Sequence, residues 1–179
     1  MDFNRMTQKV QEAVMDAQNM AVRNSNQQVD VEHLLAAIIA QEGGIGPAIC
    51  RKADVDPGAI LQKVKKELDR LPKITIEGNT GNPDQVYITG RLNRILAQAE
   101  TEAKKLKDEY ISVEHLLLAM TDDGGTTGRI LKESGLTRDR LLKALQEVRG
   151  NQRVTSPNPE VTYEALERYG RDLTKYAAA

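Results

Sequence analysis

The chain has 179 residues, of which 28% are charged, and a formal net charge of −1. This length predicts one domain with a buried core and a short appendage. Such a balanced charge argues against a nucleic acid or an anionic membrane as partner, and no apolar run reaches the length of a membrane span. Cys50 is the one cysteine, which excludes internal disulfides. With no signal-peptide pattern, we expect a cytoplasmic protein.

An internal repeat is the main feature of the sequence. Residues 31–38 read VEHLLAAI, and residues 113–120, which lie 82 positions later, read VEHLLLAM. Aligned without a gap, residues 7–49 and 89–131 share 11 identities. The alignment continues beyond this stretch after a one-residue deletion. The chain is therefore a tandem duplication of one unit.

The first copy, residues 1–71, has apolar residues at helical spacing in four segments. Thr7 is the predicted N-cap of the first helix, and Asp30 is that of the second. The second helix is predicted to end at Gly43-Gly44. A third helix follows with Ile45 and Ile49, and a fourth begins before Ile60. A long loop is then predicted at residues 72–88, and loops of this length are often mobile or functional.

The second copy, residues 89–150, repeats this pattern. Thr89 and Ser112 are the predicted N-caps of its first two helices, and Gly124-Gly125 ends the second helix. A flexible linker is predicted at residues 151–160, because this stretch is polar and contains two prolines. We therefore predict an all-α fold of eight helices and no sheet, with the copies related by a pseudo-twofold axis.

The sequence contains no clear motif for phosphate binding, metal binding or catalysis. The glycines around Gly124 lack the spacing and the lysine of a phosphate-binding loop, so turn formation explains them. His33 and His115 occupy equivalent positions and have no further metal ligands at a recognised spacing. We expect both histidines to pack between helices and to bond to backbone groups. Cys50 has no histidine nearby in sequence, and no Gly-x-Ser-x-Gly motif is present, so the chain is not predicted to be an enzyme and no cofactor is expected.

Two interpretations of the interface between the copies stay open. An interface with an aliphatic floor and polar edges is a plausible groove for apolar peptide segments. Alternatively, the same residues are simply core. The sequence favours neither.

The duplicated threonines, the Val-Glu-His-Leu-Leu core and the glycine-rich turn resemble the Clp repeat, a pair of which forms the N-domain of AAA+ unfoldases. This resemblance covers residues 1–150. Residues 163–177 resemble the lead-in to the first ATPase module of the ClpB family of protein disaggregases. The opening Met-x-x-x-Arg-Met-Thr and the triplet Arg70-Leu71-Pro72 are also similar to that family. The chain ends before the family's ATPase motifs, so residues 161–179 are predicted to be a truncated lead-in.

The resemblance implies a substrate-recognition domain. Proteins of this family are homohexameric ATPases that bind misfolded or aggregated proteins, cooperate with the DnaK chaperone system and thread clients through a central pore. ATP and Mg are expected only in modules that this chain lacks, and the fragment itself is expected to be a monomer. One alternative is an adaptor-docking domain of the protease-coupled ClpA or ClpC type. Another is a structural spacer that gates the ring.

A client site is predicted where the start of the first helix of one copy approaches the second copy. Its predicted polar edge and apolar floor consist of Thr7, Asp108, Tyr110, Glu114 and His115, with Leu92 and Leu96. The polar groups would orient a bound segment, and the leucines would bury its side chains. The competing interpretation is that Thr7 is only a helix cap and that both leucines belong to the core.

Overall fold

A computed structural model describes residues 3–41, 43–74, 86–150 and 152–159. Within these ranges there are eight α-helices, four in each copy, which confirms the predicted all-α repeat. In chain order the elements are a 3-10 helix (Phe3–Arg5), α1 (Gln8–Arg23), β1 (Gln28–Val29), α2 (Val31–Ala40), α3 (Ile45–Lys52), α4 (Pro57–Asp69), β2 (Tyr87–Ile88), α5 (Gly90–Lys105), α6 (Val113–Thr121), α7 (Thr126–Glu133) and α8 (Arg138–Arg149).

The first helix of each copy begins at a threonine. Thr7 accepts a hydrogen bond from the backbone N–H of Val10 at 3.3 Å, and Thr89 accepts one from Leu92 at 3.0 Å. Each bond satisfies one of the backbone donors that the first turn of a helix leaves without an internal partner. The predicted caps are therefore confirmed, and they fix the same start for α1 and α5.

Helices α2 and α6 form the centre of the core. Every residue of α2 up to Ile39 is buried, and so is every residue of α6 up to Met120. A helix that is apolar on nearly all sides is stable only inside a protein, with other helices around it. The repeated Val-Glu-His-Leu-Leu segment therefore marks the two innermost helices.

A short sheet joins the copies, although the sequence predicted none. Strands β1 and β2 pair in parallel, and a parallel bridge joins Met6 to Ile111. This bridge is equivalent to the pair Val29 and Ile88 in β1 and β2. The 82-residue period relates Met6 to Ile88 and Ile111 to Val29. Each start of α1 or α5 thus pairs with the segment that precedes the second helix of the other copy, which is the expected pseudo-twofold relation. Strand β2 lies in the predicted loop, of which residues 75–85 are outside the described ranges.

The third and fourth helices interlock the copies. Helix α3 packs on α8, and α4 packs on α7. Arg140 supports this contact by donating a hydrogen bond to the backbone oxygen of Ala53. Each copy therefore completes its core with helices of the other, and the two copies form one folding unit.

Residues 152–157, which we call the strap, differ from the predicted flexible linker. Val154 is fully buried, and its backbone oxygen accepts a hydrogen bond from Glu109 N–H at 2.8 Å. Pro157 accepts one from the N–H of Gln8 at 2.9 Å. The strap therefore lies on the domain because one apolar side chain enters the core and the backbone finds partners beside it. The predicted lead-in at residues 161–179 lies outside the described ranges.

No single helix in the described ranges is long and apolar enough to cross a membrane. Helices α2 and α3 reach that length and composition only together, across a bend of 83°.

Candidate functional site

Six of the seven predicted site residues are closed to solvent. Thr7, Glu114 and His115 are fully buried, and Asp108 is 7% exposed. Tyr110 is partly buried against the core. Thr7 lies beside the second copy as predicted, because its N–H donates to the backbone oxygen of Ile111 at 3.0 Å. Binding of a client by these polar residues stays a prediction. In this structure Thr7, Asp108, Glu114 and His115 are not accessible to a client.

The predicted apolar floor does not lie beside Thr7 and Ile111. It lies at the equivalent junction, where β1 pairs with β2. Leu92 and Leu96 are 3% and 6% exposed and line a small hollow beside β1 and β2. The hollow has an accessible volume of about 10 Å³, which is room for about one water molecule. No peptide side chain fits there without a movement of α1 or α5. The other side chains around the hollow are Val14, Ala17, Gln18, Val29, Leu34 and Ile88.

Each histidine is buried and bonds to a backbone group, as predicted, and this bond stabilises the turn before its helix. The Nδ1 atom of His115 accepts a hydrogen bond from the N–H of Ser112 at 2.8 Å, and Nε2 lies 2.7 Å from Asp108 Oδ2. Because Nδ1 accepts, Nε2 carries the proton that bonds to the carboxylate. His33 makes the equivalent pair of bonds, to the N–H of Asp30 and to Asn26 Oδ1. Burial lowers the pKa of His33, although Asp30 opposes this shift.

A buried charge cluster surrounds His115. Arg149 Nη2 lies 2.6 Å from Asp108 Oδ1, and Arg149 Nη1 lies 3.2 Å from Glu114 Oε1. The three side chains are at most 3% exposed. The guanidinium of Arg149 therefore compensates the charge of both carboxylates. Its loss would be strongly destabilising, because it would leave buried charges without a partner. Arg149 is not among the residues predicted for the site.

The cluster stabilises the ionised form of Asp108. Burial alone would raise the pKa of this carboxyl group. The hydrogen bonds from His115, from Arg149 and from the backbone N–H of Val154 outweigh burial, and they lower the pKa to about 2. Asp108 is therefore ionised throughout the physiological pH range.

The charge cluster has no equivalent among the described residues of the first copy. Asn26 is the equivalent of Asp108, and the one-residue deletion makes Leu68 the equivalent of Arg149. The first copy thus has a neutral amide and a buried leucine where the second has an anion and a cation. This paired difference between the copies is the sequence signal that could have identified Arg149.

A second ionic cluster joins the copies on the other side. Arg91, from the second copy, lies 2.8 Å from Glu32 Oε1 and 3.3 Å from Asp30 Oδ1 in the first copy. It also lies 2.6 Å from Asp123 Oδ2. Burial would raise the pKa of Asp123, but its bonds with Arg91 lower it. The acceptors around Arg91 are these three carboxylates and, at 3.4 Å, the hydroxyl of Thr127, all from the chain itself, which indicates a structural ionic contact between the copies.

Within the described residues, no three side chains of His, Cys, Asp or Glu converge as metal ligands. Cys50 is fully buried in the core, and burial raises the pKa of its thiol to about 11. The Cys50 thiol is therefore not poised for nucleophilic attack. What the described residues offer is a helical surface with a buried charge cluster that the strap covers.

Comparison with known proteins gives the family. The model of the Clp repeat (R) N-terminal domain matches residues 5–134. The chain belongs to this family. Its similarity to "Chaperone protein ClpB" of Bacillus anthracis is 47% identity over 173 residues, which is 97% of this chain and 20% of that protein. The corresponding protein of Nitratidesulfovibrio vulgaris is 43% identical over 179 residues, again 20% of its length.

Solved structures agree with this assignment. The N-terminal domain of Hsp104 from Candida albicans matches with a TM-score of 0.71 and 25% identity, covering 87% of this chain and 98% of that one. The N-terminal domain of the ClpD chaperone from Arabidopsis thaliana has the same fold, with a TM-score of 0.59 and 20% identity over 82% of this chain and 98% of that one. The chain is thus a chaperone N-domain and spans about a fifth of the length of the curated relatives it matches.

Proposed function

We propose that this chain is the client-recognition domain of an ATP-dependent protein disaggregase, and that it binds exposed apolar segments of misfolded or aggregated proteins. The observation that supports the proposal best is the similarity of nearly the whole chain to the N-terminal fifth of proteins named as ClpB chaperones. The domain then presents clients to a central pore formed by the remainder of the protein.

The surface around Tyr110 is the accessible part of the proposed site. Tyr110 is partly exposed, whereas its neighbours Asp108 and Ile111 are buried. An aromatic ring that is apolar on its faces and polar at its hydroxyl suits contact with varied unfolded segments. The buried residues Asp108 and His115 contribute indirectly, because their hydrogen bonds stabilise the turn on which Tyr110 lies.

Fluorescence anisotropy tests this proposal directly. The 179-residue chain is titrated into fluorescein-labelled, reduced and carboxymethylated α-lactalbumin, which is permanently unfolded, and into the labelled native form. We expect saturable binding to the unfolded form alone. Tyr110→Ala should weaken binding at least threefold. Tyr87→Ala is the matched control, because Tyr87 is exposed and pairs with Gln28, the equivalent of Tyr110 in the first copy.

The outcomes separate the alternatives. Equal binding of native and unfolded polypeptide, or no saturable binding, contradicts client recognition. Saturable binding only to a folded adaptor points to the adaptor-docking function. Equal effects of the two tyrosine substitutions contradict the location of the site but not its existence.

The activity of the whole protein is part of the same proposal. Cooperation with the DnaK system, assembly into a homohexamer and action in the cytoplasm belong to the full-length disaggregase. ATP and Mg bind in the modules outside this chain, so the isolated domain is a monomer that neither binds nor hydrolyses ATP. Calorimetry with ATP and light scattering over a range of concentrations check these two points. Low-micromolar ATP binding or a stable oligomer would contradict them.

A further inference from the structure

The strap, residues 152–157, binds the domain in the manner of an extended peptide. The N–H of Val154 donates to Asp108 Oδ1 at 2.9 Å, and its backbone oxygen accepts from the N–H of Glu109 at 2.8 Å. The side chain of Val154 is fully buried, whereas both of its neighbours are exposed. One apolar side chain in a pocket, with the flanking backbone bonded on both sides, is how domains recognise extended segments.

The strap also covers the proposed client site. Asp108 is a predicted site residue, and Gln8, which donates to the backbone of Pro157, directly follows Thr7. Arg149 joins the strap to the charge cluster, since its Nε donates to the backbone oxygen of Gln152 at 3.0 Å. The most enclosed polar groups of the site therefore lie beneath a segment of the chain itself.

Within the described ranges, one acceptor of the charge cluster around Arg149 has no donor. Glu114 is fully buried, and its Oε2 atom has no hydrogen-bond partner among the described residues. Its other oxygen lies 3.2 Å from Arg149. A buried carboxylate oxygen without a donor is unfavourable, so a ligand that brings an N–H to this position gains a favourable bond.

We propose that the strap is an internal competitor for the client site, and that an unfolded segment with a β-branched apolar residue displaces it. The incoming residue takes the pocket of Val154, and its backbone takes the bonds with Asp108 and Glu109. This inference rests on the proposed function and adds its regulation. Client affinity is then set by the fraction of molecules in which the strap is undocked.

The size of the effect follows from a two-state equilibrium. A client that binds only the undocked form has an apparent Kd equal to its intrinsic Kd divided by the undocked fraction. If the strap is docked in more than about four-fifths of molecules, releasing it raises affinity more than about fivefold. A buried valine with bonds along both sides is consistent with a mainly docked strap.

One test changes the strap and leaves the site intact. Val154→Asp places a charge in the apolar pocket and should undock the strap, whereas Thr155→Asp adds the same charge at the exposed neighbouring position. In the 179-residue chain, Val154→Asp should bind carboxymethylated α-lactalbumin at least fivefold more tightly than Thr155→Asp or the wild type. A synthetic peptide of residues 152–157 should bind the Val154→Asp chain and be displaced by the unfolded polypeptide.

A second test needs no substitution and so does not depend on the folding of a variant. Hydrogen exchange is followed in the wild-type chain, alone and saturated with carboxymethylated α-lactalbumin. Displacement predicts that the amide of Val154 loses its protection, while the amide of Glu109 keeps it because a client oxygen replaces that of Val154.

The results separate this inference from the proposed function. If client binds but Val154 stays protected, or if Val154→Asp binds no more tightly than Thr155→Asp, the strap is not a competitor and client recognition stands. If neither the wild type nor a folded variant binds the unfolded polypeptide, the proposed function fails and the inference fails with it.

Discussion

Replacement of Arg149 by methionine should destabilise the domain more than the loss of any exposed ion pair. Methionine keeps most of the length and apolar contact of the arginine and removes its charge. The structure then leaves Asp108 and Glu114, whose side chains are fully buried, without their shared cation. Removing one partner of a buried ion pair costs about 3–5 kcal/mol.

The pH dependence provides a second check of the same substitution. The pKa of Asp108 in the folded protein is about 2, below the ordinary value of 3.8. Its ionisation therefore contributes about 2 kcal/mol of stability above pH 4, which is lost as the pH falls through the range from about 4 to 2. Without Arg149 the folded pKa rises, and much of this contribution disappears. The difference between wild type and variant should therefore be largest near neutral pH and narrow below pH 4.

Urea denaturation followed by circular dichroism measures these free energies of unfolding. Arg5→Met is the control, because the pair Arg5 and Glu100 has a similar distance of 3.2 Å but is 50% and 33% exposed. Such a pair contributes at most about 1 kcal/mol. If Arg149→Met and Arg5→Met lower the stability by the same amount, or if the gap to wild type widens on acidification, the account of the buried cluster is wrong.

Three further predictions follow from single positions. Thr89→Ala removes the cap of α5 and should cost about 1 kcal/mol in urea denaturation, whereas no change would refute its role as a cap. Gly128→Ala would place a Cβ atom against a backbone oxygen and should cost about 1–3 kcal/mol or more, while Gly124→Ala meets no atom within 4 Å and should be nearly neutral. Cys50, with a thiol pKa of about 11, should react with iodoacetamide at pH 8 only as fast as the domain unfolds, and rapid labelling of the native protein would contradict its burial.

The helices were predictable because their signals are local and occur twice. Thr7 and Thr89 show the same cap, and the apolar spacing that follows each one predicts the same buried face. The repeat also predicted which ends meet, since a pseudo-twofold axis exchanges the two copies. The paired strands escaped prediction because two residues carry no periodicity, and their pairing depends on the folded interface.

The features around the site escaped prediction for a different reason. Arg149 ends a helix with an apolar stripe, and a charged residue at such a position usually lies in solvent. Val154 is a single apolar residue in a polar stretch with prolines, which is the usual composition of a linker. Only tertiary packing shows that both side chains are buried together with Asp108. The open or closed state of the interface likewise depends on packing and not on composition.

A chemical-shift map of client binding tests the proposed site most directly. The ¹⁵N-labelled 179-residue chain is titrated with unlabelled, carboxymethylated α-lactalbumin, and the amide signals are followed to saturation. We expect the largest shifts at Gln8, at Glu109 and Tyr110, and at Val154. Shifts confined to the exposed face of α4, or an unchanged spectrum at saturating client, would contradict the claim that the two copies meet at a client-binding site.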